Sequence, residues 1–159
     1  MQKIGIGPLG FMAAVFLACA LFGCGSSGHP PAGFRGIKWG AKLSSVPGLH
    51  KVGGQEDLGQ YDKPGEVLQM GDIKLDKVVY VFYKDRFYMG MAYFSSESFM
   101  KMEALLTGKF GKPAEVDQNP DNLVWDSDRV SVVLSPEGAK EIRLVYMYKP
   151  IQLRVELKK

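Results

Sequence analysis

The chain has 159 residues, with 20 Lys and Arg against 17 Asp and Glu, a formal net charge of +3, and 46% hydrophobic residues. That is the size and composition of one globular domain with a single modest core, and the near balance of charge, with no run of one sign, argues against a nucleic-acid partner. Both cysteines, Cys19 and Cys24, stand near the front, which leaves the body without a thiol for a disulfide, a thiolate metal site or a cysteine nucleophile.

Residues 1–23 begin with a short segment carrying Lys3, run through unbroken apolar sequence from Phe11 to Phe22 and end on Gly23. This is the layout of a secretory signal peptide. The apolar run is 12 residues, shorter than the roughly 18 that a spanning helix requires. Leu21-Phe22-Gly23-Cys24 resembles the lipobox of bacterial lipoproteins, with an aliphatic residue three before the cysteine and a small one directly before it. The resemblance implies a diacylglyceryl group on the Cys24 sulfur, cleavage before Cys24 and acylation of the new amino group. One acyl chain binds a bilayer only marginally, whereas two or more anchor stably. The alternative is ordinary secretion, with Ala18-Cys19-Ala20 as the cleavage site and Cys24 a free thiol. Gly25 and Ser26 follow the cysteine, and neither is the aspartate that holds enterobacterial lipoproteins at the inner membrane. By that resemblance the expected location is the outer membrane, facing the periplasm, with a plasma-membrane anchor or secretion as alternatives. Residues 25–33, GSSGHPPAG, read as a tether, whose nine residues reach at most roughly 30 Å.

Residues 34–159 are expected to form a single domain. Phe34 to Gly40 is an aromatic-rich lead-in, and Leu43 to Leu49 holds one short helical turn before Pro47-Gly48. His50 to Lys63 is rich in Gly and charge, two short strands or an irregular loop. Gly71-Asp72, between Val67 to Met70 and Ile73 to Leu75, suits a type II′ hairpin. Val78 to Tyr83, then Lys84-Asp85-Arg86, then Phe87 to Phe94 predicts a hairpin of β-branched and aromatic residues. Large apolar side chains occur on both of its faces, so these strands are expected to be central.

Ser95-Ser96 offers a helix cap with Glu97 in the first turn. Phe99, Met102, Leu105, Leu106 and Phe110 recur at helical spacing, and Gly111 with Pro113 stops the pattern. One amphipathic helix over about residues 96–110 is therefore expected, packed on one face of the sheet. Asn122 to Trp125, Val130 to Ser135 and Glu141 to Tyr148 read as strands. The tail alternates, with Ile151, Leu153, Val155 and Leu157 on one side and Gln152, Arg154, Glu156 and Lys158 on the other, and reads as a half-exposed edge strand. The expected class is α+β, a mostly antiparallel sheet with helix on one face. The order of elements hints at an internal duplication, in which Gly40 to Leu49 corresponds to the helix at 96–110.

Trp39-Gly40-Ala41-Lys42-Leu43-Ser44-Ser45-Val46 and Phe110-Gly111-Lys112-Pro113 resemble the punctuation of small envelope lipoproteins of the SmpA/OmlA outer-membrane assembly type and of β-lactamase-inhibitor-like folds. The chain also looks like other envelope lipoproteins of Gram-negative bacteria. The likeness implies a class and no reaction.

Two catalytic patterns match by chance. Gly5-Ile6-Gly7-Pro8-Leu9-Gly10 fits G-x-G-x-x-G, but in the signal segment it has neither the strand before it nor the helix after it. Ser98-Phe99-Met100-Lys101 fits S-x-x-K without the companion elements of penicillin-recognising enzymes. His29 and His50 are the only histidines, and one base without a partner is no triad. Asp117, Asp121, Asp126 and Asp128 offer hard oxygen atoms to a cation, yet aspartates at hairpin turns are accounted for by backbone hydrogen bonds. No catalytic set, cofactor or metal site is expected.

Eight aromatic residues lie between Tyr80 and Phe99, and the simplest role for them is the core of a small sheet. The alternative is a sheet face left bare by a single helix. Tyr88, Met89, Met91 and Tyr93 would suit an adaptable contact surface there, with Ile151, Leu153 and Val155 as an edge for a partner strand. The expectation is a non-enzymatic, membrane-anchored envelope protein that binds another envelope protein. A module for a small apolar ligand or lipid, or an enzyme built on His50 or the aspartates, are the alternatives. Globomycin, which blocks lipoprotein signal cleavage, is expected to make the unprocessed precursor accumulate on an immunoblot. Unchanged processing would return the front end to ordinary secretion.

Overall fold

The computed structural model describes residues 29–114 and 121–157, so the signal segment, Cys24 and Asp117 lie outside the described residues. In chain order the elements are β1 (Gly33–Phe34), β2 (Ile37–Lys38), a 3-10 turn at Leu43–Ser45, β3 (His50–Gln55), β4 (Leu58–Asp62), β5 (Gln69–Met70), β6 (Ile73–Lys74), β7 (Lys77–Tyr83) and β8 (Arg86–Ser95). A 3-10 turn at Ser96–Ser98 then leads into α1 (Phe99–Phe110), followed by β9 (Leu123–Asp126), β10 (Val130–Pro136), β11 (Glu141–Tyr148) and α2 (Lys149–Glu156). Seven strands form one antiparallel sheet in the order β3-β4-β7-β8-β11-β10-β9, while β1-β2 and β5-β6 are separate hairpins. The class is α+β, as the patterning predicts.

The hairpin at Val78 to Phe94 closes on Lys84 and Asp85, both at positive φ (45° and 61°). Those are the angles of a type I′ turn, whose twist matches the strands it joins. Gly71 likewise takes φ 61° at the first loop position between β5 and β6, as a type II′ turn requires. The Ser95 hydroxyl accepts the Glu97 N–H at the helix entrance, and Gly111 ends α1 at φ 85°.

The strand order is two-fold in plan. β4, β7 and β8 on one side meet β11, β10 and β9 on the other, with β8 paired to β11 at the seam. A helical element precedes each trio. Leu43 and Val46 at the 3-10 turn and Met102 and Leu106 of α1 pack into the same core, on the same sheet face as Tyr80, Phe82, Phe87, Phe94, Leu134, Leu144 and Tyr146. Phe34 reaches this core by lying on Gly90, where a Cβ would come within 2.1 Å of its ring. Only glycine leaves room for that contact.

The tail departs from expectation. Residues 149–156 are α2, not an edge strand, and the edges of the large sheet are β3 and β9. Pro150 stands in the first turn, where its fixed φ is already helical and its missing N–H costs nothing. Ile151 and Val155, four residues apart, then share one side and pack on the second sheet face with Val79, Val81, Tyr83 and Tyr88. Leu153 and Leu157 fall on the other side and are 57% and 88% exposed. Helix thus covers both faces rather than one. Because Ile151 is buried and Leu153 is not, Ile151→Ala is expected to lower unfolding stability by about 2 kcal/mol and Leu153→Ala by under ~0.5 kcal/mol in urea titration. Equal losses would reject the helical docking of the tail.

Candidate interaction surface

The second sheet face is assembled by register. Val79 pairs with Met91, Met91 with Val145, Val145 with Val133 and Val133 with Val124. Residues directly opposite in a ladder share a face, so these five make an apolar row across β7, β8, β11, β10 and β9. The next row runs from Val81 through Met89 and Met147 to Ser131. Val79 and Val81 are buried, whereas Met89, Met91, Val124, Val133, Val145 and Met147 are half-buried. Among the described residues α2 is the helix on this face, and it packs over β7, β8 and β11.

On one side the apolar row is bordered by Lys77, Tyr93, Arg143 and Ser135. The Lys77 ammonium lies 5.7 Å from the centre of the Tyr93 ring, a cation–π contact, and Arg143 pairs with Glu137 at 3.1 Å. The Arg143 Nε atom is buried without a hydrogen-bond partner in the structure. The arrangement is an apolar stripe with a basic border.

The structure brings together Tyr88, Met89, Met91 and Tyr93, but not in equivalent roles. Val81 pairs with Met89 while Phe82 pairs with Phe87, so Tyr88 is the extra residue of a β-bulge. The bulge puts Tyr88 and Met89 on the same face in succession, and Tyr88 is only 4% exposed, packed near Ile151. Tyr88, Ile151 and Val155 therefore belong to the packing of α2. Leu153 faces solvent on the far side of that helix. As part of a helix, none of Ile151, Leu153 and Val155 can accept a partner strand. Val124, Val133, Val145 and Met147 are the residues that sequence reasoning missed. Their signal was present in the apolar character of both faces of Val130 to Leu134 and Val145 to Met147.

Among the described residues, His50 and Asp126 do not meet. His50 is exposed on β3 at one edge of the sheet, whereas Asp126 is on β9 at the other. Asp126 is held by the Lys149 ammonium at 2.6 Å. Among the described residues no group of three or more His, Cys, Asp or Glu side chains is placed to hold a metal ion. The most enclosed polar cluster is elsewhere. Arg35 donates from Nε to Glu66 at 3.2 Å and from its two terminal nitrogens to the carbonyls of Gln69 and Val67. The Tyr80 hydroxyl donates to the same Glu66 carboxylate at 2.7 Å. This network ties the segment before β5 to the β1-β2 turn, and its members satisfy one another.

Compared with known proteins, the chain matches no family model, no curated protein sequence and no solved structure. No helix among the described residues is long and apolar enough to cross a membrane.

Burial pushes the hydroxyls of Tyr80, Tyr88 and Tyr146 above the ordinary tyrosine value, and at Tyr80 the Glu66 carboxylate adds to the effect. The unfolded chain releases these protons near pH 10 while the folded chain keeps them, so their contribution is complete below about pH 10 and falls away as pH rises further. The urea midpoint is accordingly expected to drop steeply above about pH 10, and Tyr146→Phe is expected to flatten that drop. The same slope in the variant would show that Tyr146 is not among the groups responsible.

Proposed function

We propose that this is a lipid-anchored, non-enzymatic protein of the cell envelope, facing the periplasm from the outer membrane, whose domain binds another envelope protein. The observation that carries the binding role is the half-buried stripe of Met91, Val145, Val133 and Val124 beside the basic border of Lys77 and Arg143. Burying a half-exposed stripe of this kind is favourable at roughly 25 cal/mol per Å², and its charged border would set the register of a partner. A partner with an apolar strip edged by carboxylates fits it best. The lipid anchor rests on the lipobox resemblance at Cys24, and the likeness to SmpA/OmlA-type assembly lipoproteins agrees with the location.

Chain length keeps the domain near its anchor. The Trp39 indole N–H donates to the Pro31 carbonyl at 2.6 Å and the Trp39 amide to the Ala32 carbonyl at 3.2 Å. The tether is therefore fastened to the domain at Pro31 and Ala32. The six residues 25–30 between Cys24 and this fastening reach at most roughly 20 Å at full extension.

Site-specific photocrosslinking in native membranes tests the reading. A photoreactive residue at Val145 is expected to capture a discrete protein adduct that the same residue at Met100, exposed on α1, does not. Cys24→Ala is expected to move the protein from the membrane to the soluble fraction. Absence of an adduct from Val145, Val133 and Met91 alike would reject the stripe as the binding surface. A Cys24→Ala chain that stays on the membrane would reject the anchor.

A further inference from the structure

We propose that the trough beside Trp39 is a proline-recognition site, occupied in cis by the chain's own Pro30-Pro31 and open in trans to an acidic, proline-rich segment of a partner protein. Trp39 is clamped between two rings, Phe87 at 5.1 Å and 12° and Tyr148 at 5.9 Å and 4°. The stack fixes the indole plane, and its N–H is aimed at the Pro31 carbonyl, 2.6 Å away. A proline segment suits such a site for two reasons. It is stiff before it binds, and its carbonyls remain free to accept from a fixed indole donor.

Two prolines do not fill the trough. Beyond them one limb, of about 340 Å³, continues past Trp39, Tyr148, Arg129 and Lys38. The other, of about 160 Å³, continues past Phe110, Trp125 and Lys112. These limbs give the occupant its chemistry. Lys38, Arg129 and Lys112 border them, and among the described residues none of the three is in a salt bridge. Arg129 lies over the Tyr148 ring, 5.4 Å from its centre. Asp126, the acid of the second limb, is already taken by Lys149. The tether itself supplies no carboxylate between Gly25 and Gly33. A longer proline segment flanked by Glu or Asp would keep the indole hydrogen bond and add ion pairs that the tether cannot make.

The cis segment competes with any such ligand at an effective concentration of the order of millimolar, as short linkers do. Releasing it should raise the fraction of open sites and tighten trans binding in proportion. The inference is independent of the sheet stripe and of whether Cys24 carries lipid.

The test is titration of the full chain, in detergent, with a peptide of Glu-Pro-Pro repeats, followed through the Trp39 indole N–H resonance. Saturable perturbation of that resonance is expected. Binding is expected to tighten about tenfold in the double variant P30G/P31G, which frees the trough; in W39F, which keeps a ring in the stack and loses the donor and its resonance, isothermal titration calorimetry of the same peptide, run beside the parent chain, is expected to show binding about tenfold weaker. Lys-Pro-Pro repeats are expected to bind more weakly, and Glu-Gly-Gly repeats not at all. Equal binding of Glu-Gly-Gly repeats, or undiminished binding to a folded W39F chain, would overturn the proposal. So would a folded P30G/P31G chain that ignores the peptide. Should the double variant fail to fold, the parent chain decides: an unmoved Trp39 resonance with the peptide well above millimolar concentration would overturn it equally.

Discussion

The pairing of β8 with β11 is the contact on which the rest of the fold depends. It joins residues 89–95 to residues 141–147 over seven register pairs, and without it the chain would be two separate three- or four-stranded sheets. Each such sheet would have to bury its apolar faces alone, which small sheets do poorly. The seam also puts Gly90 opposite Tyr146. That juxtaposition leaves a gap at the centre of the α1 face, and Phe34 fills it, edge-on to Tyr80 at 5.9 Å and tilted against Tyr146 at 5.2 Å. A residue from the first short hairpin is thereby built into the joint between the two halves.

The same seam makes the two faces unequal. On the α1 side the sheet lies under helix and turn, and Phe94, Met102, Leu106, Leu134 and Leu144 have no exposure. On the other side an eight-residue helix packs on the sheet around Val79, Val81, Tyr83 and the bulge at Tyr88. The bulge places two consecutive side chains on that face and so widens the apolar patch that α2 covers. Away from it, the row through Met91 and Val145 continues to the β9 edge with the smaller side chains of Val133 and Val124, which are half-buried. The asymmetry follows from the shortness of α2 as much as from the composition of the strands.

This division explains which parts of the molecule were legible in the sequence. The β7-β8 hairpin, the helix at 96–110 and the three later strands are governed by local pattern and by local stop signals such as Lys84-Asp85 and Gly111, and their limits agree with the patterning to within a few residues. The tail was misread because Ile151, Leu153, Val155 and Leu157 satisfy a period of two, while Ile151 and Val155 alone satisfy the helical spacing of four. Pro150 was the deciding signal, since a proline is welcome in a first helical turn and unwelcome within a ladder. The stripe could not be read from any one strand. It exists because Val133 and Val124 are brought beside Val145 and Met91 by strand order, a nonlocal property that no single window of sequence contains.

The position of Trp39 connects the front of the chain to this architecture. Its ring spans Phe87 at the start of β8 and Tyr148 at the end of β11, so the tether is pinned at one end of the seam itself and not to a peripheral loop. Val145 lies three residues from Tyr148, roughly 10 Å along the strand. If Cys24 bears acyl chains, the stripe is thus held close to the end of the domain that faces the bilayer, and a partner reaching it must be at or near the membrane surface. Release of Pro30-Pro31 from the trough would free this part of the tether from the domain. Residues 31–33 would add roughly 10 Å of reach, and the orientation imposed by the Trp39 hydrogen bond would be lost. Occupancy of the trough and presentation of the stripe are therefore coupled through the chain that connects both to Cys24, although the two surfaces share no residue.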